Sequence, residues 1–431
     1  MDGGGISGVG ARPAAASGPS VSPSPLRSGG VRAGLSALIG AIAVVAGAVV
    51  VAAPAAQAAF PGSDGAVVFD GAPFWFGFGS HGGFGPGSPC GRGTARDALY
   101  LLRPASTVAR LLTCAPGRAD HPFVSPDGSA VVFSSSVHGS PSQLYTVSIP
   151  TAGQHVSPAL VSASPTDSDT YPSWSPSGDG TIVFQRTLPG ALPQLYTENV
   201  GTPGSALPVF PAPTGFSDTE PVFDPADPQL IAFVRTTSGV SHIDTYDLSS
   251  RTLTDVSAQG DGGRSGDDSK PDFAPVGSSP RIVFESDRAC GTLQLYTMAL
   301  TGADQEPVFQ TLSGQAATGH QRCRAESENP VFSPQGDALA FDQGAGGFFS
   351  SFGDGPDTVS VNASGIATGP VSSLSHFVGQ EDDPNWGPLA SPPAQTPEVG
   401  LPVLLPVVGV VVAAATLPFA RRRRQRVAEQ R

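Results

Sequence analysis

Between residues 60 and 388 the chain alternates short apolar runs with turn residues, and the runs recur in one order. Each unit opens with Pro and an aromatic or apolar residue. A Pro-centred turn follows, then a run ending in Phe, then a second run ending in Tyr-Thr or a near equivalent. The unit reads HPFVSPDGSAVVF at 121–133 with QLYTV at 143–147, and YPSWSPSGDGTIVF at 171–184 with QLYTE at 194–198. It reads EPVFDPADPQLIAF at 220–233 with IDTYDL at 243–248, and KPDFAPVGSSPRIVF at 270–284 with QLYTM at 294–298. The last full unit is NPVFSPQGDALAF at 329–341 with DTVSVN at 357–362. The first keeps only its later part, PGSDGAVVF at 61–69 and DALYLL at 97–102.

The strand-ending residues Phe69, Phe133, Phe184, Phe233, Phe284 and Phe341 are spaced by 64, 51, 49, 51 and 57. Units of about 50 residues holding three or four short strands predict propeller blades. In the turn, Pro presets φ and Gly accepts φ > 0. The run after it is continuously apolar, as expected of a strand buried on both faces. The first unit lacks its opening strand, and Asp383-Pro384-Asn385-Trp386-Gly387-Pro388 is that strand with nothing after it. The predicted fold is therefore all-β: a six-bladed propeller over 59–388, closed by residues 382–388 completing blade 1. The pattern resembles the TolB-like propellers built from PD40 repeats, a WD40-like family, over roughly 60–388. Asp224-Pro225 and Ala274-Pro275 replace the usual Ser-Pro. That resemblance implies protein or peptide partners in envelope complexes, but this chain lacks the domain those proteins place before the propeller.

The ends of the chain predict its location. Residues 1–58 read as a Gly/Ser/Pro-rich leader and a signal peptide, with an apolar run at 33–53 and cleavage after Ala58; an uncleaved signal anchor is the alternative. Residues 389–398 read as a Pro-rich linker. The apolar stretch 399–420 is long enough for a transmembrane helix, and the basic tail 421–431 predicts a cytoplasmic C-terminus with the propeller outside. Six of the 23 basic residues follow residue 420 and three precede residue 59, leaving a body with 14 basic and 34 acidic residues. A body so acidic does not suit nucleic acid, whose binding depends on neutralising phosphates.

Four cysteines in an exported chain point to disulfides. Cys90 and Cys114 hold the same two places in blade 1 that Cys290 and Cys323 hold in blade 5, which predicts the pairs Cys90–Cys114 and Cys290–Cys323. No CxxC or spaced His pair suggests a metal, and no cofactor fingerprint or nucleophile elbow appears. His121 reads as an ordinary residue entering a strand, and Asp127, Asp179 and Asp337 read as turn formers. The run Asp261–Asp268 reads as solvated linker, with calcium as the alternative. Two insertions carry the candidate binding residues: Phe74, Trp75, Phe76, Phe78 and Phe84 in 71–93, and Phe348, Phe349 and Phe352 in 344–357. Ring closure would set them side by side, exposed for a ligand or folded onto their own blades. The inner strands offer mainly Pro, Phe, Trp and Ser, so no catalytic residues are assigned. The function expected is a membrane-anchored scaffold binding an envelope protein or peptide. A carbohydrate-binding surface propeller facing cell-wall glycan, a channel-site enzyme acting on sugars, and a structural stalk are the alternatives.

Overall fold

The computed structural model describes residues 62–390, apart from 74–97, 138–139, 152–155, 163, 212–214, 259–265, 276–278, 289–290, 311–325, 345–355 and 376–378. The predicted leader, membrane segment and basic tail lie outside the described residues. Within them no helix is long and apolar enough to cross a membrane.

Six four-stranded sheets follow one another along the chain. Blade 1 contains β1 (Asp64–Pro73), β2 (Ala98–Leu102) and β3 (Arg110–Thr113). Blade 2 is β4 (Arg118–Val124), β5 (Ala130–Ser136), β6 (Gln143–Ser148) and β7 (Ala159–Leu160). Blade 3 is β8 (Ser168–Trp174), β9 (Thr181–Thr187), β10 (Gln194–Asn199) and β11 (Leu207–Pro208). Blade 4 is β12 (Ser217–Asp224), β13 (Asp227–Thr237), β14 (Val240–Asp247) and β15 (Thr252–Asp255). Blade 5 is β16 (Asp268–Phe273), β17 (Arg281–Ser286), β18 (Gln294–Ala299) and β19 (Glu306–Pro307). Blade 6 is β20 (Glu326–Phe332), β21 (Ala338–Gly344), β22 (Asp357–Ser360) and β23 (Ser372–Ser373). The last strand, β24 (Gly379–Pro388), pairs antiparallel with β1 and completes blade 1. The ring closes as the repeat predicts.

Hydrophobic burial lies between blades rather than within them. The six core clusters each join one blade to the next. Successive side chains on a strand point to opposite faces, and here both faces are apolar. Val131 and Phe133 of β5 pack towards blade 1, while Val132 between them packs towards blade 3. Ile182 and Phe184 face blade 2, and Val183 faces blade 4. This is why the second strand of each repeat is a continuous apolar run. The six recurring Phe residues are all fully buried. Each strand also runs on beyond its Phe, which the sequence had read as its end.

The Tyr of the Tyr-Thr signature packs against that Phe across the strand pair. Phe133–Tyr145 ring centroids lie 5.9 Å apart, Phe184–Tyr196 6.2 Å and Phe284–Tyr296 5.9 Å. In blades 4 and 6 the opposing residues are Asp244 and Asp357. A Phe just after the outer strand of the preceding blade fills the place instead: Phe210 lies 5.8 Å from Phe233, and Phe309 5.5 Å from Phe341.

The innermost strands have no further strand beside them, so some of their N–H groups need other acceptors. Alternate blades supply them. Asn385 Oδ1 accepts from Val124 N–H at 2.8 Å, Ser173 Oγ from Phe223 N–H at 3.2 Å, and Asp272 Oδ2 from Phe332 N–H at 2.9 Å. The matching positions in the blades between are Phe123, Val222 and Val331. Gly387 allows β24 to lie against β4, since a Cβ there would meet Val124 Cγ1 at 2.2 Å. Replacing Asn385 with Ala leaves the Val124 N–H buried without its acceptor and should lower stability by about 1–3 kcal/mol. Urea unfolding of Asn385→Ala tests this; an unchanged midpoint would mean that closure does not depend on the contact.

Candidate functional site

One irregularity repeats in all six innermost strands. Opposite each recurring Phe stand two residues rather than one. Asp120 pairs with Ser134 and Phe123 with Val132, so His121 and Pro122 together face Phe133. The same step sets Tyr171-Pro172 against Phe184, Glu220-Pro221 against Phe233 and Lys270-Pro271 against Phe284. It sets Asn329-Pro330 against Phe341 and Asp383-Pro384 against Phe69. These are β-bulges, which bend a strand and re-aim a side chain. The first residue of each takes a left-handed backbone: φ is 52° at His121, Tyr171, Glu220 and Asn329, and 50° at Lys270 and Asp383.

The six re-aimed residues and the prolines after them line a cavity of about 100 Å³ on the propeller axis. Lys270 of blade 5 spans it. Its Nζ donates to Asp383 Oδ1 of blade 1 at 2.8 Å and lies 4.6 Å from the centre of the Tyr171 ring of blade 3. Asp383 Oδ2 also lies 3.2 Å from His121 Nε2, and the His121 and Tyr171 rings are 3.6 Å apart. Carboxylates cap the N–H groups that the bulges turn inward. Glu220 Oε2 accepts from Lys270 N–H at 2.7 Å, and Asp342 Oδ2 from Asp383 N–H at 3.1 Å. Glu285 accepts from Asn329 N–H and, at 2.8 Å, from Ser269 Oγ. Asp342 also accepts from Asn329 Nδ2 at 2.9 Å. Glu285 and Asp342 sit directly after the recurring Phe of their strands, so the continuation of those strands builds a second layer beside the ring.

Charge states follow from burial and neighbours. Burial alone would depress Lys270, but Asp383, Tyr171, Glu220 and Glu285 around it hold it well above the usual lysine value. Burial would raise Asp383, but Lys270 and His121 hold it down at about 2. His121 is pushed down to about 4 by burial, against the pull of Asp383, so it is neutral at neutral pH. Burial raises Glu285 to about 7 and raises Glu220 as well, in both cases against the pull of Lys270. Asp272, which lines the same cavity, is raised to about 7 by burial against the pull of its backbone donors.

The ring changes two readings of the sequence. His121 is not a residue entering a strand; it lies inside β4 at a bulge, with its side chain in the channel. The inner strands do bring ionisable groups together, contrary to their apparent Pro, Phe, Trp and Ser content. The signal was present: the residue before each repeat Pro is His, Tyr, Glu, Lys, Asn and Asp in turn, and a bulge is needed to send all six inward. The eight aromatics at 74, 75, 76, 78, 84, 348, 349 and 352 lie outside the described residues. Their flanking strands, β1 and β21, do belong to neighbouring blades. Of the cysteines only Cys114 is described, and no described cysteine is a free thiol. Cys90, Cys290 and Cys323 fall outside. Asp127 accepts from Ser125 and Ser129, and Asp179 from Ser177 and Thr181, as turn formers do. Asp337 accepts from Ser333 Oγ. Of the 261–268 run, Asp268 holds Arg288 at 2.7 Å; no group of metal-ligating side chains occurs among the described residues.

No protein-family model and no curated protein matches the sequence. Its fold is matched among solved structures. TolB from Acinetobacter baumannii is 13% identical, with 75% of this chain and 67% of that chain covered and a TM-score of 0.51. Hydrazine synthase from Kuenenia stuttgartiensis is also 13% identical, with a TM-score of 0.51; 77% of this chain is covered but only 48% of that chain. At such identities the likeness is one of fold. The chain has a TolB-like six-bladed β-propeller fold with an ionisable ring on its axis.

Asp272 gives this site a measurable pH signature. Its folded value is raised, so between about pH 4 and 7 the folded protein retains a proton that the unfolded chain releases. Stability attributable to this group therefore falls as pH rises through that window. Asp272→Asn keeps an acceptor for Phe332 N–H and removes the ionisation. The loss of melting temperature between pH 5 and pH 8 should be smaller in this variant than in the parent; equal losses would show that Asp272 ionises freely.

Proposed function

We propose that the protein is an extracytoplasmic binding propeller, held at the cell membrane by its C-terminal segment, that recognises a protein or peptide partner through the axial ring. One observation carries this reading. A left-handed backbone suits Gly, Asn or Asp; for other residues it costs roughly 1–2 kcal/mol each. If the six positions served only the bulge, such residues would suffice at all of them. Instead four of the six are His121, Tyr171, Glu220 and Lys270, while the adjoining Pro and opposing Phe stay the same. Strain has been accepted at the positions that face the cavity, and there the repeat diverges.

Two further observations support recognition over catalysis and over sugar stacking. General acid–base chemistry uses groups that titrate near the working pH, but Lys270 and Asp383 stay charged and His121 neutral across that range. Two carboxyls are raised to about 7, and both are already engaged as caps: Glu285 accepts from Asn329 N–H and Ser269 Oγ, and Asp272 from Phe332 N–H. A sugar needs a free aromatic face, and the Tyr171 ring is already engaged by His121 and Lys270. The aromatic insertions would extend the same interface, and the pairs Cys90–Cys114 and Cys290–Cys323 would tether their blades.

A photoreactive phenylalanine analogue at Phe123, which lines the cavity, tests the reading on intact cells. A defined protein adduct is expected there and not from a control in the Asp179 turn. Tyr171→Asn, which suits the left-handed backbone, should abolish the adduct without lowering the melting temperature. An adduct that survives Tyr171→Asn, or that forms only from Trp75, would move the site off the axis.

A further inference from the structure

The ring holds one cation among several carboxylates. Asp383 and Glu220 belong to blades 1 and 4, opposite one another in a ring of six. Glu285 and Asp342 stand in the layer beside them. Against these the cavity has the single ammonium of Lys270, the only lysine in the chain. Lys270 pairs directly with Asp383. Glu220 and Glu285 are met by backbone N–H and hydroxyl donors, which carry no full charge. Burial works against the charge on Lys270, and Asp383, Tyr171, Glu220 and Glu285 around it outweigh that effect.

The structure also shows what kind of group the cavity holds. A compact ammonium on an unbranched stem lies between the Asp383 carboxylate and the Tyr171 ring, which combines charge pairing with a cation–π contact. The Lys270 side chain is 21% exposed and that of Asp383 15%. Both face the cavity, so the pair is reachable from it.

Resting on the axial ring as the binding site, we propose that this ring takes a second cation beside Lys270: the primary ammonium or guanidinium of a lysine or arginine side chain in a peptide partner. Glu220, opposite the occupied Asp383, is the carboxylate that receives it. Lys270 remains on Asp383, and the incoming group gives Glu220 the direct cationic contact that Lys270 makes with Asp383 alone.

The single lysine makes the test direct. Full-length protein labelled with carbon-13 at the lysine ε position gives one lysine signal, from inside the site. Nα-acetyl-lysinamide and Nα-acetyl-argininamide should shift that signal saturably, and neutral Nα-acetyl-norleucinamide should not. Glu220→Gln, which keeps an acceptor for Lys270 N–H, should weaken the cationic probes about tenfold, as loss of a close charge partner does. Glu285→Gln gives a second check should the first variant fold poorly. Equal shifts from norleucinamide would overturn the proposal. Tighter binding of Nα-acetyl-glutamate amide would overturn it while leaving the axial site standing. If no probe moves the signal, the cation assignment fails, and the axial site is judged by cross-linking at Phe123 alone.

Discussion

The burial of one Phe per blade against the preceding blade is the interaction on which the structure turns. It fixes the register of the second strand, because a slip of one residue would swap the face each side chain presents. It also fixes where the inner strand must carry its extra residue. In all six blades the bulge lies opposite that Phe. The residue ahead of Pro then leaves the pleat and turns towards the axis. Core and site are thus not separate constructions: the contact that holds adjacent blades together also sets the height at which the ring forms.

Closing a ring of blades leaves an inner edge of backbone donors, and the axis has to satisfy them. The protein does this with side chains from neighbouring blades: Asn385, Ser173 and Asp272 in one layer, Glu220, Glu285 and Asp342 in another. Carboxylates serve well, because two oxygens can each accept more than one donor. Using them concentrates negative charge in a space that solvates charge poorly. Lys270 offsets part of that charge by reaching across the channel to Asp383. The electrostatic character of the site is therefore a consequence of how the ring is closed, and the same carboxylates are both scaffold and candidate ligand contacts. This is why Gln and Asn replacements, which retain an acceptor, separate the two roles where Ala would confuse them.

Much of the fold was legible because its signals are local. Pro-centred turns, apolar runs and the Phe–Tyr spacing each follow from contacts within one blade or between two. Even the closure by β24 could be read, since Pro384-Asn385-Trp386 is a strand opening without a sequel. The ring was not legible for the opposite reason. Its members lie 49 to 59 residues apart, and each looks unremarkable beside its own Pro. In an unbulged strand the alternation of side chains would not bring these residues to the axis as it does here, and nothing in a Pro-flanked strand announces a left-handed residue before the Pro. Restriction of the residue before proline would suggest an extended backbone there instead. The exchange of Tyr for Phe210 and Phe309 was hidden for a similar reason, since the substitute comes from the blade before.

The levels of symmetry in the molecule separate support from recognition. The Phe, the Pro and the bulge repeat six times. The side-chain caps at Asn385, Ser173 and Asp272 repeat every second blade. The ring residues do not repeat at all. Features that maintain a closed ring can be common to every blade, because every blade faces the same packing problem. A ligand on the axis faces something different in each direction: an ammonium on one side, a neutral imidazole across from it, an amide facing a phenol, and two carboxylates opposed. Such a site distinguishes orientations, so it suits a partner that enters in one pose with unlike groups on its sides. A peptide strand bearing a basic side chain has that character. A symmetric or freely rotating occupant would gain nothing from six different neighbours, and would not account for left-handed strain at His121, Tyr171, Glu220 and Lys270.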